Sequence, residues 1–283
     1  MAVTYVSDLN SLFNTIYDRA IFVAREMNLM ANLVDNRSAS GWMNRIVPTR
    51  PAITAVSVNE NSDFATPTTF GRATQATLTP AEIISQVVLT DRDMETDPDS
   101  AVQDATRELG ASIATKIDVD LMGLFDDFSA NSLGTAAGTI NLGNVAAAVA
   151  RLSAAHATQY GGISAVLHPY HWHTLWVELG KPSTNIVASD IANQALRDYY
   201  VATLVGATWY VSSNMGTVAS DDAWSGVFAP PALMLDTRRP ARFESQRDAS
   251  ARAYELNVTA GYAVGIVRDT FGAGIIADAT APS

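Results

Sequence analysis

The sequence predicts an α+β fold, and three observations carry that prediction. One run of apolar residues at helical spacing continues for about thirty residues, far beyond the usual three turns. A β-branched stretch with a polar tip precedes it, and the last third of the chain is strand-dominated behind a segment where helices and strands alternate.

The elements follow in order. Leu9, Leu12, Phe13, Ile16, Ala20, Val23, Met27, Met30 and Val34 recur at three- and four-residue steps, with Ser7 in the N-cap position. They predict an amphipathic arm helix, which needs a partner surface to be stable. Next come Ile46-Val47-Pro48, the run Ile53 to Val58, a polar tip from Asn59 to Asp63, and a Thr- and Ala-rich return from Phe64 to Leu78. This reads as a long two-stranded ribbon whose prolines (Pro48, Pro51, Pro67, Pro80) confine it to edge positions. A hairpin of that kind is marginal by itself and implies another surface beneath it.

A strand over Ile83 to Leu89 leads into Thr90-Asp91-Arg92-Asp93-Met94-Glu95 and then the long helix, with Asp97 as its cap and Pro98 in the first turn. Val102, Ala105, Leu109, Ile113, Ile117, Leu121 and Leu124 form its apolar stripe, which ends near Phe128. The Gly-rich stretch from Gly134 to Gly143 marks a boundary. Beyond it the pattern predicts a helix (Val145 to Tyr160), a strand (Ile163 to Leu167), a helix opening at His168-Pro169, a helix (Ile191 to Leu204) and a strand (Thr208 to Ser212). Strands are then expected at Gly226 to Ala229, Ala232 to Leu235, Ala251 to Thr259, Ala263 to Val267 and Gly274 to Ile276.

Composition narrows the function. Of 283 residues 48% are hydrophobic and only 17% charged, against about 25% charged in typical soluble domains, so much of the surface is expected to be covered. Lipid is not the cover: the longest apolar stretches are broken by Arg151, His156, Arg268 and Asp269. The start, with Asp8 and no basic region, does not read as a signal peptide. The absence of cysteine excludes disulfides and Cys-ligated metal centres. A net charge of −11, with Lys116 and Lys181 the only lysines, argues against a dedicated nucleic-acid binder.

The order of parts, together with particular residues, resembles the tailed-bacteriophage major capsid proteins of the Hong Kong 97 fold. The residues that carry the resemblance are Ala76 to Glu95, leading into Asp97-Pro98-Asp99, and then Leu109 to Leu121 with Ile117-Asp118-Val119-Asp120. Ala165 to Trp172, Ala232 to Leu235 and Phe271-Gly272-Ala273-Gly274 add to it. The resemblance implies an N-arm (1–44), an E-loop (45–80), a peripheral domain carrying the spine helix (81–128 and 235–283) and an α/β axial domain (129–234). It further implies a structural protein, not an enzyme, that needs no cofactor and no metal. Such a protein self-assembles as pentamers and hexamers into an icosahedral head around double-stranded DNA, with a separate scaffolding protein, a portal and room for a cement protein. The virion is then its place, and the bacterial host cytoplasm the place of its synthesis. Some family members weld subunits by a Lys-Asn isopeptide bond. Residues 45–80 hold no lysine, so the expected shell is non-covalent.

Assembly contacts are expected at the ribbon (Asn59, Glu60, Asn61, Asp63, Phe64, Arg72) and in the one cationic cluster (Arg238, Arg239, Arg242, Arg247). Arg252 extends that cluster, and Asp236, Glu244 and Asp248 interleave it, which favours Arg-carboxylate pairs over a DNA-facing lining. His168, His171 and His173 lie close enough in sequence to suggest zinc, yet on a helix opening at Pro169 the last two point apart. The paired carboxylates Asp91/Asp93, Asp118/Asp120, Asp126/Asp127 and Asp221/Asp222 lack a calcium-loop pattern and read as turn and helix-end solvation. No nucleophile elbow or phosphate loop occurs, which weighs against an enzyme built on 145–212. An encapsulin-like shell around a cargo enzyme is the alternative on the same fold.

Overall fold

The computed structural model describes residues 29–61, 69–96, 98–130, 132–179, 203–218 and 221–282. Two sheets organise them. The four-stranded sheet has the order β1 (Asp35–Ser38), β10 (Leu233–Asp248), β11 (Ala253–Ile266), β4 (Ala81–Thr90), with β1 parallel to β10 and the rest antiparallel. The six-stranded sheet runs β5 (Leu133–Gly134), β12 (Gly272–Asp278), β9 (Asp222–Phe228), β6 (Ile163–Leu167), β8 (Ala207–Val211), β7 (Thr203–Leu204). A separate pair, β2 (Arg45–Thr49) and β3 (Ala73–Leu78), forms the root of the ribbon, with a register shift at Pro48, which has no N–H to offer.

Helix α1 (Asp91–Thr96) follows β4, and α2 (Pro98–Met122) is the spine. Its 25 residues span on the order of 37 Å. Leu109 and Ile113 on α2 pack onto Leu89 of β4 and Leu256 and Val258 of β11. The opposite face of that sheet leaves Ile84 (65%) and Val88 (51%) exposed. Alternate residues of β4 thus meet either the helix or the outside, as the period of two requires.

The spine helix ends in a 3₁₀ turn, Gly123–Phe125. This brings Phe125 and Phe128, both fully buried, onto the second sheet. They sit where Gly226 and Gly272 present bare backbone: a Cβ there would lie 2.5 Å and 2.1 Å from the two rings. The largest core gathers around them, with Trp172, Trp209 and Phe228. Strand β6 is buried throughout, which explains why it reads as an apolar run and not as an alternation. Helix α3 (Leu142–Ala154) is capped by Asn141, whose side chain accepts the Asn144 N–H at 2.9 Å. Helix α4 (Pro169–Leu179) buries His171, Trp172 and Leu175.

Several expectations need correction. The stretch expected as a turn at Asp91 is helix α1. Ile53 to Val58 belongs to no strand: among the described residues the ribbon limbs pair only at their root, and β-branched residues without an opposing ladder gain no sheet. Thr203 and Leu204 pair with β8 instead of ending a helix; the rest of the helix expected over Ile191 to Leu204 lies outside the described residues. The strands expected at Ala251 to Thr259 and Ala263 to Val267 are one strand, β11. The Arg-rich stretch continues β10 to Asp248 because Ala241 and Phe243 pack inward while Arg242 and Glu244 stay exposed. Residues 235–283 contribute to both sheets: β10 and β11 to the four-stranded one, and β12, beside β9, to the six-stranded one. Leu9 to Met27 and Ser7 lie outside the described residues, whereas Met30 and Val34, the end of that stripe, are buried.

Candidate assembly interface

The ribbon leaves the body at β2. Its root is seated by Val47, Ala76 and Leu78 against Met234, Ala263 and Val267 of the four-stranded sheet. Beside this small core sits a buried charge. Asp236 on β10 is fully buried; the Arg45 guanidinium donates to its Oδ1 at 2.7 Å, and Arg238 lies 2.7 Å from its Oδ2. The hydrogen bond to Asp236 raises the Arg45 pKa, so this guanidinium stays charged at any working pH. Outward from the root, Ile53 (67%), Val56 (63%), Val58 (52%) and Phe70 (51%) are exposed. Scattered apolar residues on a surface are ordinary; here four share one excursion.

Of the expected contact residues on the ribbon, Asn59, Glu60, Asn61 and Arg72 are exposed. Asn61 has φ +61°, a left-handed conformation that Asn tolerates and that turns the chain at the tip. Asp63 and Phe64 lie outside the described residues.

The cationic cluster is paired within the chain. Arg238 meets Asp236, Arg239 meets Glu82 at the start of β4, and Arg242 meets Glu244 at 3.0 Å. Arg247 makes two parallel bonds to Asp91, at 2.5 and 2.7 Å, and holds that carboxyl below the usual carboxylate range. Arg238 is too buried to meet another molecule, its side chain being 6% exposed. Arg239 also stacks over Trp42, 5.4 Å from the ring centre, and Trp42 in turn lies over Gly261. Together these contacts hold the linker between arm and ribbon.

Two carboxylates taken as solvation are anchors. Asp118, on the spine helix and 1% exposed, accepts the N–H groups of Leu29 (3.2 Å) and Met30 (3.0 Å), tying the end of the arm to the spine. Burial raises its pKa, and the two N–H bonds oppose that shift. Asp222, 3% exposed, accepts the Ala137 N–H at 2.7 Å and holds the loop after β5. Neither role could be read from the sequence, because the partners lie 85 or more residues away.

The histidines form no metal site; among the described residues no group of His, Asp or Glu is placed to hold an ion. His171 is fully buried, with Nδ1 2.7 Å from Ser225 Oγ and Nε2 3.1 Å from the Ala277 carbonyl. The carbonyl can only accept, so Nε2 carries the proton and Nδ1 accepts from Ser225. Burial lowers the His171 pKa. The histidine joins α4, β9 and β12 inside the core, a structural role.

A long helix thus packs against one sheet, an α/β layer holds the second, and a ribbon projects from the first. Residues 64–276 match the family model described as phage capsid protein. The chain belongs to the phage capsid protein family. Solved structures agree on the fold of this capsid protein, which is that of the Hong Kong 97 class. It is similar to the structure from Mycobacterium phage Che8 (18% identity, TM-score 0.66, 88% of this chain and 90% of that one). A second likeness is to Gordonia phage Cozz (8% identity, TM-score 0.68, 88% and 85%). A third is to the virus-like particle from Pyrococcus furiosus (10% identity, TM-score 0.62, 93% and 98%). No curated protein matches the capsid protein's sequence. It is a structural protein of the bacteriophage head, and its copies form a capsid shell.

Proposed function

We propose that this shell is an icosahedral head built of hexamers and pentamers around double-stranded DNA, held without covalent links. The observation that carries the proposal is the family match over 64–276 in a chain whose ribbon exposes Ile53, Val56, Val58 and Phe70. Obligate interfaces bury such surface, and the low charge content of the whole chain agrees with wide burial on assembly. In this reading the arm, the ribbon with Asn59, Glu60, Asn61, Asp63, Phe64 and Arg72, and the rims of the axial domain meet neighbouring copies. The peripheral domain, 81–128 with 235–283, carries the spine, and 129–234 surrounds the symmetry axes. Arg239, Arg242 and Arg247 contribute by fixing their own subunit's carboxylates, and any reach to a neighbour is secondary.

The absence of lysine from 45–80 supports non-covalent closure. The net charge of −11 keeps packaged DNA from adhering to the wall and offers it no sequence-reading surface. A separate scaffolding protein, a portal and a cement protein complete the assembly, which takes place in the host cytoplasm. In this reading the chain acts as a building block, not an enzyme, as its family match suggests.

Negative-stain microscopy of the purified protein, with nuclease-protected nucleic acid measured in the particle fraction, tests the proposal. Closed particles that protect DNA during infection are expected. A dispersed monomer at every salt concentration would overturn the shell, and particles filled with a cargo protein would favour the compartment reading to which the P. furiosus particle lends only its fold.

A further inference from the structure

We propose that Arg45 is the positioning residue of the ribbon and that buried Asp236 is the fixed point to which it is held. The inference rests on the reading of the ribbon as an intersubunit contact. Asp236 is fully buried on β10, and Arg238, two residues on in the same strand and 6% exposed, already lies at ion-pair distance from it. The buried carboxylate thus keeps a counter-charge without Arg45, while the side-chain hydrogen bond to its Oδ1 comes from Arg45. What Arg45 adds is a link across 191 residues of sequence, from the first residue of β2 to the middle of the sheet, with a further contact from Nη2 to the Ser38 carbonyl of β1 at 3.4 Å. A single guanidinium thus touches the strand after the arm, the base of the ribbon and the sheet that faces the spine helix.

Geometry makes this contact matter more than its energy. Beyond Thr49 and Ala73 the limbs have no strand partner among the described residues, so their direction is set at the root. At an extended rise, residues 50–61 reach up to roughly 40 Å, and a tilt of about 10° at the root moves the tip by about 7 Å. That is more than the width of a strand spacing. The linker before Arg45 is held as well, by Trp42 over Gly261 and beneath Arg239. Beside the apolar seat of Val47, Ala76 and Leu78 on the sheet, the ribbon is thus held at two further points, and the charged one sets its angle.

Arg45→Met and Arg45→Lys in the full chain test the inference against wild type. Three measurements are made: the thermal midpoint of the unassembled subunit, hydrogen exchange at 45–49 and 73–78 compared with 253–266, and particle shape by negative stain. For Arg45→Met the midpoint is expected to fall by roughly 3 to 12 °C, because the buried carboxylate loses a charge-assisted hydrogen bond but keeps Arg238 as its counter-charge. Exchange at the ribbon root is expected to quicken while 253–266 is unchanged, and uniform closed particles give way to open or irregular ones. Arg45→Lys, which keeps the charge, retains closed particles. Uniform particles of wild-type diameter from Arg45→Met would overturn the inference. So would faster exchange throughout 253–266 with a fall in midpoint beyond that range, which would make Arg45 a merely structural residue. Failure of the wild-type chain to form particles would instead strike the shell reading, and the exchange comparison on free subunits would still decide whether Arg45 holds the root.

Discussion

Adding one methyl group at Gly226 probes the joint between the spine helix and the six-stranded sheet. In Gly226→Ala the new Cβ would lie 2.5, 2.6 and 2.7 Å from three ring atoms of Phe125, where carbon atoms pack at about 3.5 to 4.0 Å. The ring has little room to retreat. It is fully buried, with Phe228 5.6 Å and Phe128 6.5 Å from it, centroid to centroid. A clearance of roughly 1 Å must come from displaced aromatic rings or from β9, and overpacking of this kind costs about 1 to 3 kcal/mol. For a chain of this size the thermal midpoint should fall by roughly 2 to 12 °C. Circular dichroism melts of the unassembled subunit measure it. A double-mutant cycle with Phe125→Leu sharpens the test: the smaller side chain frees the space, so the pair should cost about 1 kcal/mol less than the sum of the two single changes. A Gly226→Ala subunit melting with wild type, or strictly additive costs, would refute the reasoning.

Other perturbations separate the remaining contacts. Gly261→Ala places its Cβ 2.6 Å from Trp42, but that indole is 46% exposed and can swing away, so the same melts should show a cost of about 1 kcal/mol or less. His171 is buried neutral with a lowered pKa; its contribution is complete above the unfolded value of about 6.5 and is lost as pH falls from there through the lowered folded value. The difference in midpoint between wild type and His171→Gln should therefore shrink from pH 7.5 to pH 5, and a constant difference would contradict the assignment. Asp118→Asn replaces one of two acceptors of backbone N–H groups by a donor and should lower stability by about 1 to 3 kcal/mol in urea titrations. Boiled particles should run as a single subunit band on a denaturing gel, and a ladder would disprove non-covalent closure.

Elements whose apolar pattern is uninterrupted were legible in the sequence. The spine helix, β4, β6 and the helix that opens at Pro169 all present a clear period or a dense apolar run. The later part of β10, beyond Leu235, was not, because its inward residues Ala241 and Phe243 are separated by charges that dominate the reading, and the alternation is visible only once the sheet is known. Membership of β12 in the second sheet depends on which strands lie side by side, a property of the whole chain. The preference of the arginines for carboxylates followed from their chemistry, but Glu82 and Asp91 lie 157 and 156 residues from their partners. The buried anchors Asp118 and Asp236 were hidden for the same reason: a carboxylate looks alike in sequence whether it meets water or a distant backbone.

Strand β10 begins in the large core, where Leu233 and Leu235 pack, and runs for 16 residues to Asp248; β11 returns beside it over 14 residues. No hinge interrupts this pair, only two register shifts, between Thr237 and Arg239 and between Arg239 and Arg242. Pulling on the far end loads the inter-strand hydrogen bonds in shear, many at once, so the hairpin behaves as a tie rod and not as a zipper. Tension at the far end of the hairpin is delivered straight to the large core where β10 begins.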